Sequence, residues 1–196
     1  PILCESFSTI DHARGSISLT YFEFGTLAAM DIFQKNDIDI AIMEVGMGGR
    51  LDAVNMLDAN ISLISTIDID HEKWLGNDRQ SIGREKSGIF RSMRPAICAD
   101  LNPPESISDM ANLVGAKLLR SGYEFSHEIS ASSWTWQSGG VRITELPIPG
   151  DLNFQVENAS GVLMVLQAIT KYFPVEKQSI IKGLEKKGLK LVKTRR

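Results

Sequence analysis

The chain has 196 residues, of which 43% are hydrophobic and 23% are charged, and its formal net charge is −3. This balance is typical of a globular protein that buries a sizeable core, and it excludes a disordered chain, a collagen-like repeat and a disulfide-stapled miniprotein. Because Cys4 and Cys98 are too few for a disulfide framework, we expect free thiols in a reducing, cytoplasmic environment.

The charges are unevenly distributed along the chain. Residues 177–196 contain eight basic residues and one acid, whereas residues 1–176 contain 13 basic and 23 acidic residues. A basic tail can bind nucleic acid, but no aromatic residue interleaves these charges and the acidic remainder would repel phosphates. We therefore interpret the tail as a solvated helix with a frayed end and expect no nucleic-acid partner.

No apolar run approaches the roughly 18 residues that a membrane span requires. The first residues also lack the basic region that is typical of a signal peptide. We therefore expect no membrane partner. The chain begins at Pro1 rather than at a methionine, which is expected either of a piece of a longer protein or of a processed start.

Hydrophobic periodicity predicts alternating helices and strands. In chain order, the predicted elements are a helix over Thr20–Gln34, strands over Ile38–Val45 and Ile61–Ile67, a helix over Ser81–Phe90, a strand over Pro95–Ala99, a helix over Ser106–Leu119 with Ser106 as its cap, and helices over Asn158–Tyr172 and Val175–Leu184. Alternating residues between Ser121 and Pro149 predict a small antiparallel element of two hairpins. The expected fold class is α/β, a mostly parallel sheet flanked by helices, with this antiparallel element around residues 121–149.

The most unusual segment is glycine-rich and follows the first predicted strand, from Glu44 to Asn55. Its glycines permit a sharp turn and a close approach of the backbone to a ligand. The G-x-G-G spacing matches neither a dinucleotide fingerprint nor a phosphate-binding P-loop. Two interpretations stay open for this segment alone: a ligand-binding turn at a strand end, or a tight turn with Asp52 as a cap.

A second segment, Ile67–Glu72, has three acids and His71 within five residues after a predicted strand. Carboxylates at strand ends suit Mg²⁺, which takes oxygen ligands, and a histidine can complete such a site. A histidine at the edge of a loop is otherwise structural or solvated. The segment alone does not decide between these two interpretations.

A third segment, Ser81–Phe90, contains Arg84, Glu85 and Lys86 in sequence. The simpler interpretation is an amphipathic helix whose charges face water. The functional interpretation requires Lys86 to turn inward, where a desolvated amine becomes chemically useful. The pattern by itself favours the simpler interpretation.

Taken together and in this order, the three segments resemble the folylpolyglutamate synthase/dihydrofolate synthase branch of the Mur ligase family, and above all its bifunctional bacterial members. The resemblance extends from about Ser16 to Thr170. It rests on the motifs Leu19-Thr20-Tyr21-Phe22-Glu23-Phe24, Glu44-Val45-Gly46-Met47-Gly48-Gly49-Arg50-Leu51-Asp52-Ala53, Asp70-His71, Trp74-Leu75-Gly76, Ser81-Ile82-Gly83 and Arg84-Glu85-Lys86-Ser87-Gly88-Ile89. It implies a P-loop-NTPase-like central domain over residues 1–172, followed by a short helix and basic tail over residues 173–196.

The resemblance also implies an activity and a set of site residues. The expected enzyme is an ATP-dependent ligase of folate biosynthesis that joins L-glutamate to dihydropteroate or folylpolyglutamate through an acyl phosphate. Its cofactors and substrates would be Mg²⁺, ATP, glutamate and the folate compound. The implied residues are Glu44 and His71 for the metal, Lys86 as a catalytic residue carbamylated by CO₂, Thr20, Phe22, Asp52 and Ala53 for the pterin, and Asn158 for adenine.

The sequence departs from the family pattern in two places. The family's Gly-Lys-Ser/Thr P-loop is not present and is expected upstream of Pro1, and the C-terminal glutamate-binding domain is not present either. We therefore expect the chain alone to be inactive and its full-length parent to be a monomer. One alternative is a catalytically inactive remnant or binding fragment. Another is a different Mur-type amino-acid ligase, although the Thr20–Phe22 segment favours folate.

Overall fold

The computed structural model describes residues 2–69, 75–149 and 153–185. By the contacts between Cα atoms, the chain divides into two compact units, Pro1–Asp58 and Ala59–Arg196. We describe each unit by itself.

The first unit is built on two packed helices, α1 (Ile2–Arg14) and α2 (Tyr21–Lys35). The Ser6 hydroxyl donates to the Ala28 carbonyl at 2.9 Å, and the Phe7 and Phe24 rings meet edge to face with centroids 5.5 Å apart. Ser6 and Ala28 are both buried, so this contact holds the two helices at close range. A short 3₁₀ helix, Ala53–Met56, follows later in the unit.

The predicted strand over Ile38–Val45 is wrong: the structure forms no strand over these residues. Ile38, Ile40 and Ile42 are instead 41%, 51% and 90% exposed. A strand requires a hydrogen-bonded neighbour, and residues 2–58 contain no strand with which this segment could pair. The apolar pattern therefore indicates β propensity but does not show whether a strand is available for pairing.

The second unit contains a parallel sheet of three strands, β1 (Ser62–Ile64), β2 (Pro95–Cys98) and β3 (Lys117–Arg120). The order is β1-β2-β3, and both pairs are parallel. Helix α3 (Arg79–Ser87) lies between β1 and β2 in the chain, and helix α4 (Glu105–Val114) lies between β2 and β3. This confirms the predicted α/β fold class and its parallel sheet.

Helix α4 differs from the prediction at both ends. Its N-cap is Pro104 rather than Ser106, and it stops at Val114 rather than continuing to Leu119. Gly115 adopts a left-handed conformation, with φ of +75°, and its N–H donates to the carbonyls of the last turn. Such a glycine ends a helix because residues with a Cβ are strained there. The residues that follow form β3.

The antiparallel element is a separate sheet with strand order β4 (Phe125–Ile129), β5 (Trp134–Ser138) and β6 (Val141–Leu146). Gly139 and Gly140 connect β5 to β6 with φ of +54° and +83°. Two consecutive positive φ values match the two-residue hairpin turn that suits the twist of the strands. The structure thus confirms the predicted pair of hairpins.

Two helices complete the second unit, α5 (Asn153–Ile169) and α6 (Lys177–Glu185). Both were predicted, α5 with a start five residues later. Trp134 and Trp136 are fully buried. The Trp136 indole N–H donates to the Ser160 carbonyl of α5 at 3.1 Å.

Strand β2 lies between two hydrophobic cores. Ala96 and Cys98 belong to a cluster with Ile82 of α3, whereas Ile97 belongs to a cluster with Val156 of α5. Alternate side chains of a strand point to opposite faces, so both faces of the sheet are buried. Burial raises the pKa of the Cys98 thiol to about 11, and both cysteines are free thiols, as predicted.

No helix in the described part of the chain is both long and apolar enough to cross a membrane.

Helices α3 and α4 approach each other closely at Gly83. A Cβ added at Gly83 would lie 2.6 Å from the Ser106 Oγ and 2.8 Å from the Pro104 Cγ. Both distances are far shorter than ordinary van der Waals contact, and the proline ring cannot rotate away.

We therefore expect Gly83→Ala to destabilise the second unit by about 1–3 kcal/mol, because the helices must separate to accommodate the methyl group. Urea denaturation measures this loss. Gly183→Ala is the matched control, since Gly183 is also helical but nothing lies within 4 Å of its added Cβ; it should stabilise by up to about 1 kcal/mol. A Gly83→Ala variant as stable as the unsubstituted chain would contradict the close packing.

Candidate functional site

The glycine-rich turn of the first unit is held together by Asp52. One carboxylate oxygen, Oδ2, accepts from the N–H groups of Gly46 and Met47, both at 3.0 Å. The other, Oδ1, accepts from the Val54 N–H at 3.0 Å and caps the 3₁₀ helix. Consecutive N–H groups of a glycine-rich loop can cradle an anion, and here the chain's own carboxylate fills that position.

Phe22 and Asp52, two of the predicted pterin residues, lie against the same glycine. From the Cβ position of Gly46, the Phe22 Cζ is 3.0 Å away and the Asp52 Oδ2 is 3.4 Å away. The Phe22 ring is 44% exposed. The turn therefore presents an aromatic face and a carboxylate side by side at the surface, and Ala53 follows directly as the first residue of the 3₁₀ helix.

Thr20 caps helix α2 in a reciprocal arrangement with Glu23. The Thr20 backbone N–H and hydroxyl donate to the Glu23 carboxylate at 2.7 and 2.8 Å, and the Glu23 N–H donates to the Thr20 Oγ1 at 3.2 Å. These bonds, with the backbone contribution the largest, hold the pKa of Glu23 below its ordinary value of 4.5. Thr20 thereby fixes the start of the helix that carries Phe22.

Glu44, the predicted metal ligand of the first unit, is exposed and lies in a segment without regular secondary structure. It immediately precedes the turn that Asp52 organises. Its position after the apolar run is as predicted, but the strand expected to end there is not formed.

In the second unit, the loops after β1 and β2 are joined by Arg79 and Asp100. The Asp100 Oδ2 accepts from the Ile67 N–H at 2.7 Å and from the Arg79 Nη2 at 2.9 Å, and the Arg79 Nε donates to the Ile67 carbonyl at 2.9 Å. We call Arg79, Asp100 and the backbone of Ile67 the Arg79–Asp100 clamp. Asp100 is only 4% exposed, whereas the Arg79 side chain is 35% exposed, so the carboxylate lies within the fold and the guanidinium reaches it from the surface.

Lys86 lies on the buried side of helix α3. Ile82, Gly83 and Ser87 are the buried residues of this helix, and Lys86 follows Ile82 by four positions and Gly83 by three. Residues at these spacings share a helix face, and Lys86 is accordingly half-buried whereas Arg84 is exposed. Lys86 therefore lies on the packed face of the helix, whereas Arg84 faces water.

His71, the other predicted metal ligand, lies outside the described residues, as does Asp70. In the described ranges, no three His, Cys, Asp or Glu side chains lie close enough together to hold a metal ion.

Asn158, the predicted adenine contact, lies in helix α5. Its side-chain Oδ1 is buried and has no hydrogen-bond partner among the described residues. A buried acceptor without a partner is costly, and a ligand N–H donor would satisfy it. This orphaned oxygen fits a contact with an amino group such as that of adenine.

The clamp residues were not singled out from the sequence, although two signals pointed to them. Asp100 directly follows the apolar run of β2, the same position that drew attention to Asp68 and Asp70. Arg79 is a cation at the first position of a helix, where the helix dipole is unfavourable to positive charge, so a specific partner was to be expected.

The Mur ligase middle domain, as a family model, matches residues 5–166 of this chain. The chain belongs to the Mur ligase family. This confirms the resemblance on which the expected fold was based.

Relatives within the Mur ligase family carry folate-related names. Dihydrofolate synthase/folylpolyglutamate synthase of Escherichia coli (strain K12) is 47% identical over 144 residues, which cover 74% of this chain and 34% of the relative. The protein of the same name from Haemophilus influenzae is 38% identical over 180 residues, 92% of this chain and 40% of the relative.

A solved structure supports the same assignment. Bifunctional folylpolyglutamate synthase/dihydrofolate synthase with Mn, AMPPNP and L-glutamate bound matches with a TM-score of 0.86 and 42% identity, over 96% of this chain and 45% of that one. The chain thus spans less than half the length of the relatives it matches.

We expect Thr20→Val to raise the pKa of Glu23 part of the way towards 4.5, because the hydroxyl donor is lost while the backbone N–H still donates. Because folding lowers the pKa of this carboxyl, the capping bonds stabilise the helix start fully at pH values above the pKa of the unfolded chain. This stabilisation is lost as the pH falls through the lowered pKa of the folded chain. An NMR titration of the Glu23 carboxyl carbon measures both values. Thr9→Val on α1 is the control, and an unchanged Glu23 pKa in Thr20→Val would contradict the capping geometry.

Proposed function

We propose that this chain supplies the central domain of an ATP-dependent ligase that joins L-glutamate to dihydropteroate or folylpolyglutamate. The observation that carries the proposal is the 47% identity to an enzyme named for both activities. The geometry adds support, because Phe22 and Asp52 lie against the same glycine and Lys86 lies on the buried side of its helix.

The chemistry of such a ligase has two steps. The carboxylate of the folate compound attacks the γ-phosphorus of ATP, which forms an acyl phosphate and releases ADP. The amino group of glutamate then attacks the acyl carbon, which forms the amide and releases phosphate. The protein contributes mainly by positioning the reactants and by stabilising charge on the transferring phosphoryl group.

For the cation, Glu44 and His71 are the proposed ligands of Mg²⁺, together with a carbamylated Lys86. The donor chemistry fits, because a carboxylate, an imidazole and a carbamate supply oxygen and nitrogen to a divalent cation. Carbamylation would convert a side chain that repels Mg²⁺ into one that attracts it. When bound, the cation neutralises negative charge on the transferring phosphoryl group. Support comes from the relative whose structure holds Mn and AMPPNP.

For ATP, Asn158 is the proposed adenine contact. Its buried, unpartnered Oδ1 is an acceptor facing no donor in the described chain. The amino group of adenine would satisfy this acceptor, and the bond would favour adenine over a base that presents a carbonyl at that position.

For the pterin, the proposed residues are Thr20, Phe22, Asp52 and Ala53. The exposed face of Phe22 can stack on a flat heteroaromatic ring. Asp52 keeps acceptor capacity beyond its three N–H donors, because an ionised carboxylate has about four lone-pair positions. Thr20 sets the helix start from which Phe22 projects.

We propose that the partners are small molecules and that the full-length protein acts as a monomer in the cytoplasm. We propose no nucleic-acid partner. Two free cysteines support a reducing compartment. The excess of acidic residues over residues 1–176 supports substrates other than nucleic acid.

The test is a chimera in which this chain replaces the segment that it matches in the Escherichia coli relative. We expect ADP release that requires dihydropteroate, glutamate and Mg²⁺. Lys86→Met in the chimera should lower the rate at least about 100-fold, because the side chain is proposed to hold the cation that stabilises the transferring phosphoryl group.

Lys117→Met is the matched control, since Lys117 is an exposed lysine of β3 in the same unit. It should leave the rate within about twofold of the unsubstituted chimera, as surface substitutions usually do. A folded chimera without activity would contradict the proposal and favour the inactive remnant. Activity with another amino acid but not with glutamate would favour a different Mur-type ligase.

A further inference from the structure

A cleft of about 380 Å³ lies at one end of the antiparallel sheet, and we call it the hairpin cleft. Its walls come from the turn that leads into β4, from the end of β5, and from the hairpin turn with the start of β6. This volume is in the range of protein sites that hold small molecules. None of the described residues to which the proposed function assigns a role lines the cleft.

Tyr123 forms an aromatic wall of the hairpin cleft, and its ring is held from behind. The Arg120 guanidinium lies over the ring, with its Cζ 4.3 Å from the ring centroid. Arg120 is itself fixed by Glu124, since its Nη2 and its backbone N–H donate to that carboxylate at 3.0 and 2.7 Å. Tyr123 is nevertheless 68% exposed, so the face of the ring away from Arg120 is open to a flat ligand.

The cation behind the ring changes what the open face attracts. The faces of an aromatic ring carry negative charge, which is why cations lie against them. Arg120 draws this electron density towards its own side of Tyr123. The open face therefore attracts an electron-rich ring better than it attracts a second cation.

Arg142 brings a positive charge to the same cleft. The register of the sheet places Ser126, Gln137 and Arg142 in one row across β4, β5 and β6. The Gln137 Nε2 donates to the Ser126 Oγ at 3.0 Å, which fixes two members of the row. The Arg142 Nη2 is 3.8 Å from the Glu128 Oε2, which is longer than a hydrogen bond, and both side chains are more than half exposed. Such a pair holds neither side chain firmly, so Arg142 can turn towards a ligand.

The charges of the hairpin cleft favour an anion. Glu124 lines the cleft, but its carboxylate is neutralised by the Arg120 guanidinium at 3.0 Å. Among the described residues of the lining, the other charged residue is Arg142. Its planar guanidinium matches the two oxygens of a carboxylate. The cleft therefore combines an open aromatic face with a site for a carboxylate.

We propose that the hairpin cleft binds a small planar aromatic carboxylate, with its ring stacked on Tyr123 and its carboxylate paired with Arg142. Either contact alone is weak on an exposed surface, but one rigid ligand that makes both loses little conformational freedom on binding. The inference goes beyond the proposed function and does not rest on it, because the proposed reaction assigns no role to the cleft.

The test follows the backbone amide signals of the full 196-residue chain by NMR while benzoate is added. Benzoate should shift the amides of residues 123–126 and 137–142, which line the cleft. Benzamide keeps the ring without the charge, and cyclohexanecarboxylate keeps the charge without the flat ring. Each should bind at least about fivefold more weakly than benzoate, because each makes only one of the two contacts.

Tyr123→Leu and Arg142→Gln each remove one contact and should weaken benzoate binding at least about fivefold. Tyr172→Leu is the matched control for the ring, since Tyr172 is 74% exposed and also has a cation over its ring, Lys171 at 5.8 Å, but does not line the cleft. Arg84→Gln is the control for the charge, since Arg84 is an exposed arginine of α3 in the same unit. Both controls should leave benzoate binding unchanged, and the amide spectra show that each variant is folded.

Three results would overturn the proposal. Equal binding of the three probes would show that the ring and the charge are not recognised together. Amide shifts outside the hairpin cleft, or undiminished benzoate binding by folded Tyr123→Leu or Arg142→Gln, would place the ligand elsewhere. A chain that binds no benzoate would leave the cleft without the proposed ligand. None of these results touches the proposed ligase function, which the chimera tests separately.

Discussion

The buried carboxylate of Asp100 is the interaction that holds together the loops at the carboxyl ends of β1 and β2 in the second unit. Taking an ionised carboxylate out of water is costly unless donors replace the lost hydration. Here the donors are the N–H groups of Ile67 and Asn102 and the guanidinium of Arg79, at 2.7–2.9 Å. Because each donor comes from a different segment, satisfying one carboxylate brings together the loop after β1, the loop after β2 and the start of α3.

This arrangement follows from the parallel sheet. The carboxyl ends of β1 and β2 lie side by side, with the Ala99 N–H donating to the Ile64 carbonyl at 2.8 Å. Residues that directly follow these strands therefore meet at one edge, the usual position for ligand sites in α/β folds. The close approach of α3 to α4 at Gly83 then holds the helix that carries Lys86.

Much of this fold could be predicted from the sequence, because buried parallel strands are short apolar runs and hairpin turns need residues such as Gly139 and Gly140. The strand predicted over Ile38–Val45 shows where the pattern fails: it reports β propensity, whereas a strand also needs a partner. The predicted end of α4 at Leu119 failed because the left-handed Gly115 stops the helix first.

The motifs singled out the proposed site residues, whereas the residues that hold the neighbouring loops in place were not singled out. The motifs led to Phe22, Asp52, Lys86 and Asn158. Lys86 is half-buried in the structure, although the run of charges around it favoured a helix face in contact with water. Arg79 and Asp100 could not be paired from the sequence, because they are 21 residues apart and only the folded sheet brings them together. Helix α1 was not predicted either, since most of its residues are exposed and its apolar pattern is weak.

The most direct test of the account is to locate Mn²⁺ by its anomalous X-ray scattering in crystals of this chain grown with Mn²⁺ and AMPPNP. The account predicts a Mn²⁺ peak at the carboxyl end of β1, at the edge of the sheet where the Arg79–Asp100 clamp lies. Crystals in which Mn²⁺ binds elsewhere and leaves that end of the sheet empty would contradict it.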